Sequence, residues 1–190
     1  MNILIARDEA FNFTYRANID ALRRMGTVTF FSPLHDSELP HCDLLYLPGG
    51  YPELFAAQLE ANAALRHSVS DYAEADGRIF AECGGFMYLC HDIDGQCMCG
   101  VLPFHATMQD ARLHLGYRQM TVDGETLRGH EFHYSSVIDE PLPATVTRLM
   151  LQHSANGSPV ATPLYKYKNV VAGYTHWYWA ASSIELLWKL

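Results

Sequence analysis

The sequence has no apolar run near the ~20 residues that a bilayer-spanning helix needs. Its amino terminus, MNILIARDEAF, puts an acidic pair directly after a short apolar run. A secretory signal has a basic opening and a longer apolar core, so none is expected. Positive charge is scarce: 13 Lys and Arg stand against 21 Asp and Glu, a formal net charge of -8, with no basic cluster. That balance excludes the electrostatic footprint of a nucleic-acid binder. No Gly-Lys dipeptide occurs, so the chain carries no phosphate-binding G-x-x-x-x-G-K-[ST] loop. Five cysteines, Cys42, Cys83, Cys90, Cys97 and Cys99, are odd in number and irregular in spacing, which excludes a disulfide framework. Cys97 and Cys99 with Cys90 upstream offer half of a metal site, but no matching Cys/His pair follows and no metal is expected. A reducing, cytoplasmic setting is the simplest expectation. There is no linker rich in Pro, Gly or Ser and no repeat. A length of 190 residues with a hydrophobic fraction of 49% predicts one domain, residues 1–190, with a substantial core.

What is present alternates in its first half between strand and helix. NILIA, TVTFFSP, DLLYLPGG and RIFAE are short apolar strands; YRANIDALRRMG reads as a helix, and Glu53 to Gly77 as a helix or a broken pair. Continuous apolar strands separated by helices predict a parallel sheet covered on both faces, an α/β fold of the doubly wound, flavodoxin-like type. From Gly100 onward the pattern becomes β-rich, predicting extra strands in the C-terminal half. WYWAASSIELLWKL closes the chain as an expected amphipathic helix, carrying Trp177, Tyr178, Trp179 and Trp188.

Cys83 sits where RIFAE meets an apolar helical stretch, followed by Gly84 and Gly85. Ligands of open α/β sheets collect at the carboxyl ends of the strands, and a nucleophile on so sharp a turn needs small neighbours. A helix N-terminus there is expected to favour the thiolate. The competing reading is a small buried residue in a glycine turn. A second turn, LPGGYPE, follows a separate strand and opens on the same edge. Backbone amides of Gly84 and of Gly49 or Gly50 are the expected donors for an oxyanion. Of ten histidines, His176 ends the strand-like VVAGYTH and is expected at the same edge as the base, with His130 and His133 as competitors that spacing does not separate.

These residues resemble a known family. LPGGYPE, AECGGFMYL, GHEFHYS and GYTHWYW, together with IARDEAFNFTY, FFSPLHD and LGYRQ, are similar to the class I glutamine amidotransferase domain of the cobyrinic acid a,c-diamide synthase family, over essentially the whole chain. The resemblance implies a cysteine glutaminase that frees ammonia from glutamine for ATP- and magnesium-dependent amidation of the a and c acetates of a corrin precursor. It implies Cys83 as nucleophile and His176 as general base and acid. It also implies Glu131, Phe132 and His133 as glutamine contacts, against an equal expectation that they only shape a strand edge.

Two positions depart from the wider amidotransferase pattern. Tyr178 stands where many relatives have an orienting Glu, so a Cys–His pair or a third member from elsewhere is expected; Met87 stands where many have Gln, so glutamine recognition is expected to differ in detail. The ATP-binding synthetase domain that usually precedes the glutaminase is not in this sequence. ATP and magnesium are expected only there, with no cofactor in this domain. The partner is expected as a fused domain or a separate chain. Three alternatives remain: a glutaminase for cobyric acid synthase or another tetrapyrrole, a flavodoxin-like cysteine protein of other activity, and a silent interaction module.

Overall fold

The computed structural model describes residues 1–138, 141–179 and 184–190. Along the chain run β1 (Asn2–Ala6), α1 (Arg16–Met25), β2 (Thr27–Phe31), β3 (Leu44–Leu47), α2 (Ala56–Ala61), α3 (Ala63–Glu74), β4 (Arg78–Glu82) and α4 (Gly84–Leu89). Short strands follow: β5 (Asp92–Ile93), β6 (Gln96–Cys97) and β7 (His105–Thr107). Then come the long hairpin β8 (His114–Val122) and β9 (Glu125–His133), and β10 (Ser136–Ile138), β11 (Val146–Leu149) and β12 (His153–Ser154). The chain closes with β13 (Leu164–Tyr167), β14 (Val170–Gly173) and β15 (His176–Tyr178).

The central sheet has the order β11-β13-β14-β4-β3-β1-β2, parallel from β14 to β2 and antiparallel at β11 and β13. β1 lies between β2 and β3, the order reversal of a flavodoxin-like sheet. Alternation along β1 divides the core: Leu4 and Ala6 face one side, Ile3 and Ile5 the other. The first face packs α2 to α4 with Phe86, Phe104 and Tyr165; the second packs α1 with Tyr46, Phe80, Trp177 and Trp179. Each such side chain contributes roughly 1.5–3 kcal/mol by leaving water. Glu53 to Gly77 is a broken pair, α2 and α3 meeting at Asn62 after a single 3-10 turn at Pro52–Phe55.

The end of the chain departs from the sequence expectation. His176, Trp177 and Tyr178 form a strand that pairs with β9, not the start of a helix. Trp177 is fully buried and Tyr178 is exposed, the period-2 alternation of a strand. A 3-10 helix covers Ile184–Lys189, while residues 180–183 of the expected helix and the Trp188 side chain lie outside the described residues. His176 therefore stands not on the end of β14, which stops at Gly173, but in a second sheet of order β12-β8-β9-β15. Asn18 of α1 fixes that strand: its amide donates to the Trp177 carbonyl at 2.7 Å and accepts from the Trp179 N–H at 2.8 Å.

Candidate active site

β3 and β4 are neighbours in register, Leu47 opposite Ala81, so the turns that follow them open side by side. Cys83 is the N-cap of α4 with φ 48 and ψ -105, a left-handed conformation that a non-glycine residue holds only when its surroundings over-determine it. Its N–H donates to the Gly173 carbonyl of β14 at 2.9 Å, which pins the strained residue from behind. The thiol projects into a cavity of about 160 Å³ lined by Gly50, Tyr51, His130, Phe132 and His176.

The two glycine turns meet at this cavity. A Cβ on Gly84 would lie 2.8 Å from Pro52 Cδ and 3.0 Å from the Gly50 nitrogen, so the amides of Gly50 and Gly84 sit together. The Gly84 N–H opens α4, has no carbonyl in the preceding turn to bond, and donates toward the Cys83 sulfur. Gly49 faces elsewhere: a Cβ there would collide with the His176 imidazole, and its carbonyl accepts from the Phe13 N–H at 3.0 Å. The geometry thus brings Gly50 and Gly84 to the sulfur and makes Gly49 the seat of the His176 ring.

His176 and His130 both line the cavity, stacked with ring centres 5.0 Å apart. His130 Nδ1 is engaged by the Tyr15 hydroxyl at 2.8 Å. His133 has both nitrogens committed, Nδ1 to the Ser135 carbonyl and Nε2 to Glu131. His176 Nδ1 is buried without a hydrogen-bond partner, 4.0 Å from Glu82 Oε2. Glu82 is itself buried, accepting from Tyr46 Oη at 2.7 Å and from the Trp177 N–H at 2.8 Å. Sequence reading missed Glu82; its one signal was a lone carboxylate closing the apolar run RIFAE.

Burial sets the resting charges. It pushes the Cys83 thiol up to about 12, reinforced by the charges of Glu53, Glu82 and Glu131 and opposed by the Gly84 amide. It brings His176 down to about 3, with His130 and His133 adding to the effect, and raises Glu82 to about 8. The expected thiolate is therefore corrected. Burial of the charged sulfur outweighs the one amide, that of Gly84, which the head of this six-residue helix turns toward it.

A second cavity of about 40 Å³ continues from the first past Cys83 and Phe132, adding Glu53, Met87, His133, Tyr134 and Ser135. Phe132 borders both cavities, its carbonyl 4.0 Å from the Cys83 sulfur, and His133 borders the second. Glu131 lines neither: it is buried against Arg118, His133 and Thr162. Met87 borders the second cavity and contacts Ser135 Oγ, while Tyr178 points outward against Tyr15.

Residues 2–184 match the CobB/CobQ-like glutamine amidotransferase domain. A cobyrinate a,c-diamide synthase of Methanothermobacter thermautotrophicus is 49% identical over 148 residues, covering 73% of this chain and 33% of that protein. A hydrogenobyrinate a,c-diamide synthase of Pseudomonas aeruginosa is 38% identical over 184 residues, 94% of this chain and 41% of that protein. The chain thus spans between about a third and two-fifths of the length of these relatives. A solved glutamine amidotransferase superposes with a TM-score of 0.60 at 21% identity, over 92% of this chain and 89% of that one, which shows the shared fold.

Proposed function

The chain belongs to the CobB/CobQ-like glutamine amidotransferase domain family, and from that membership we propose that it hydrolyses glutamine to supply ammonia for the ATP-dependent a,c-diamidation of cobyrinic acid in cobalamin biosynthesis. The observation that carries the reading is the left-handed Cys83 at a strand–helix joint, sharing one cavity with His176 and Gly50.

In this reading His176 Nε2 takes the Cys83 thiol proton as the sulfur attacks the glutamine carboxamide carbon. The oxyanion forms toward the Gly50 and Gly84 amides, preorganised in a site from which water is largely excluded. Collapse breaks the C–N bond, and His176 returns the proton to the departing nitrogen, releasing ammonia and leaving a glutamyl thioester. His176 then deprotonates a water that attacks the thioester; glutamate leaves and the thiol reforms. Glu82 faces Nδ1, where its carboxyl group orients the ring and, once ionised above about pH 8, stabilises the imidazolium formed in both steps. Glu53, the carboxyl group lining the cavity beyond Cys83, is placed to meet the glutamine ammonium.

ATP and magnesium belong in this reading to a synthetase domain, and none to this one. Beside the cavity mouth the β8–β9 hairpin turns one apolar face outward: Leu115 pairs with Phe132, and Tyr117, 74% exposed, pairs with His130. Leu54, 72% exposed, and Tyr51 extend the apolar surface from the other glycine turn. A partner seated there would cover Cys83 and receive ammonia without loss to solvent. Hydrogenobyrinate as acceptor is the second reading, carried by the Pseudomonas aeruginosa relative.

The test is labelling with 6-diazo-5-oxo-norleucine, read by peptide mass spectrometry with and without a synthetase partner. Modification confined to Cys83, blocked by glutamine and slowed in His176→Ala, is expected. Absence of labelling in both settings, with the protein folded, overturns the reading.

A further inference from the structure

We propose that His91, Asp92 and His105 form a binding site for a borderline divalent metal ion of the zinc type, separate from the cavity at Cys83. β5 and β7 pair in parallel with Asp92 opposite His105, so both side chains leave one face of a small sheet. His91 precedes β5 and is held on both sides: its N–H donates to the Phe104 carbonyl at 2.8 Å, and its carbonyl accepts from the Met98 N–H at 2.9 Å.

Three atoms converge. Asp92 Oδ2 lies 2.5 Å from His105 Nδ1 and 3.1 Å from His91 Nδ1, and all three atoms fall within 4.8 Å of one another. A zinc ion bonded at about 2.0–2.1 Å to each of three tetrahedral ligands sets their atoms roughly 3.4 Å apart, so small side-chain rotations complete the site. Behind the carboxylate, the Gly95 N–H donates to Asp92 Oδ1 at 3.1 Å, the kind of outer contact that fixes a ligand's direction.

The donor set selects the class of ion. Two imidazoles and one carboxylate suit zinc, cobalt or nickel, whereas magnesium and calcium require mainly oxygen. Hydrogen bonding accounts for each distance singly. Two rings, 5.1 Å apart, aim the same nitrogen at one carboxylate oxygen, a convergence that a dication bound by the three atoms also satisfies. Three protein ligands leave one coordination position free, and two of the three, Asp92 and His105, line a cavity of about 700 Å³ together with Asp94, Asp110, Arg112 and His114. The ligands lie outside the cysteines: His91 beside Cys90, Asp92 on β5 and His105 on β7, its parallel neighbour.

Calorimetric titration of the chelator-treated chain with Zn²⁺, and visible absorption with Co²⁺, test the proposal. One equivalent is expected to bind, with cobalt d–d bands and no thiolate charge-transfer band. His105→Ala and Asp92→Asn are each expected to weaken binding at least about 100-fold. Cys97→Ser, the exposed thiol opposite Asp92 in the β5–β6 hairpin, should leave it unchanged. Zinc should raise the melting temperature of the wild type and not of the double variant His91→Ala/His105→Ala, whose metal-free melting reports that it is folded. No saturable binding at micromolar metal, undiminished binding in the folded double variant, or loss of binding in Cys97→Ser each overturns the proposal.

Discussion

Nδ1 of His176 lies 4.0 Å from Oε2 of Glu82, and neither group reaches solvent. The carboxylate that faces the histidine comes from the residue immediately before the nucleophile, not from the position two after the histidine, where Tyr178 points outward. Glu82→Gln keeps the shape and the acceptor for the Trp177 N–H but removes the carboxylate that Glu82 becomes above about pH 8. The expected result above about pH 8 is a glutaminase kcat lower by roughly 10²-fold with KM little changed, the difference shrinking toward neutral pH where Glu82 is protonated. Steady-state kinetics with the partner present checks this, and an unchanged kcat would remove Glu82 from the mechanism.

The same substitution should stabilise the protein. Glu82 holds its proton up to about pH 8 in the folded chain, against an ordinary value of 4.5. Between those values the folded state retains a proton that the unfolded state has released, so stability falls as pH rises through the window. Glu82→Gln abolishes that loss. Its melting temperature at pH 8 should exceed the wild type's by several degrees, with the difference shrinking toward pH 4.5. His176 has the opposite sign: neutral in the fold down to about pH 3, it lets stability fall as pH drops below 6.5.

Thiol reactivity should follow burial. Cys97 is exposed, whereas Cys83 is buried with its thiol pushed up to about 12. Iodoacetamide at neutral pH should therefore modify Cys97 first, and Cys83 only slowly, with a rate that climbs as pH rises. Peptide mapping over a time course reads the order directly. Prior modification of Cys83 at neutral pH would mean that the thiolate is already stabilised in the resting site.

The fold was legible where single strands carry their own signal. The apolar runs of β1, β3 and β4, each ended by a break in the pattern, announced a parallel sheet, and the two glycine turns announced its carboxyl edge. β15 was not legible, because three residues of strand alternation in HWY are too few to compete with the apolar content of the segment after them. The charge state of Cys83 escaped for a different reason. A helix N-terminus can be read from sequence, but the depth at which it is buried depends on α4, β14 and β9 closing around it. Glu82 was hidden by its setting, since a carboxylate at a strand end reads as solvated until Tyr46 and Trp177 are seen to enclose it.

Gly49 provides a test that separates the seat of the histidine from the oxyanion donors. Added at Gly49, a methyl group would meet the His176 ring, whereas at Gly84 it would meet Pro52 and the Gly50 backbone. Gly49→Ala should therefore displace the base and leave the amides of Gly50 and Gly84 in place. The expected outcome is a kcat lowered at least 10²-fold, since misplacement on the order of 1 Å is enough for that, with slowed but glutamine-protected labelling of Cys83. Gly84→Ala should instead displace the oxyanion donor together with the sulfur, lowering kcat by a similar roughly 10²–10³-fold and weakening glutamine protection as well. Comparing protection between the two variants decides the assignment. Equal loss of protection in both would mean that the two glycine turns move as one unit and that Gly49 has no separate role as the seat of His176.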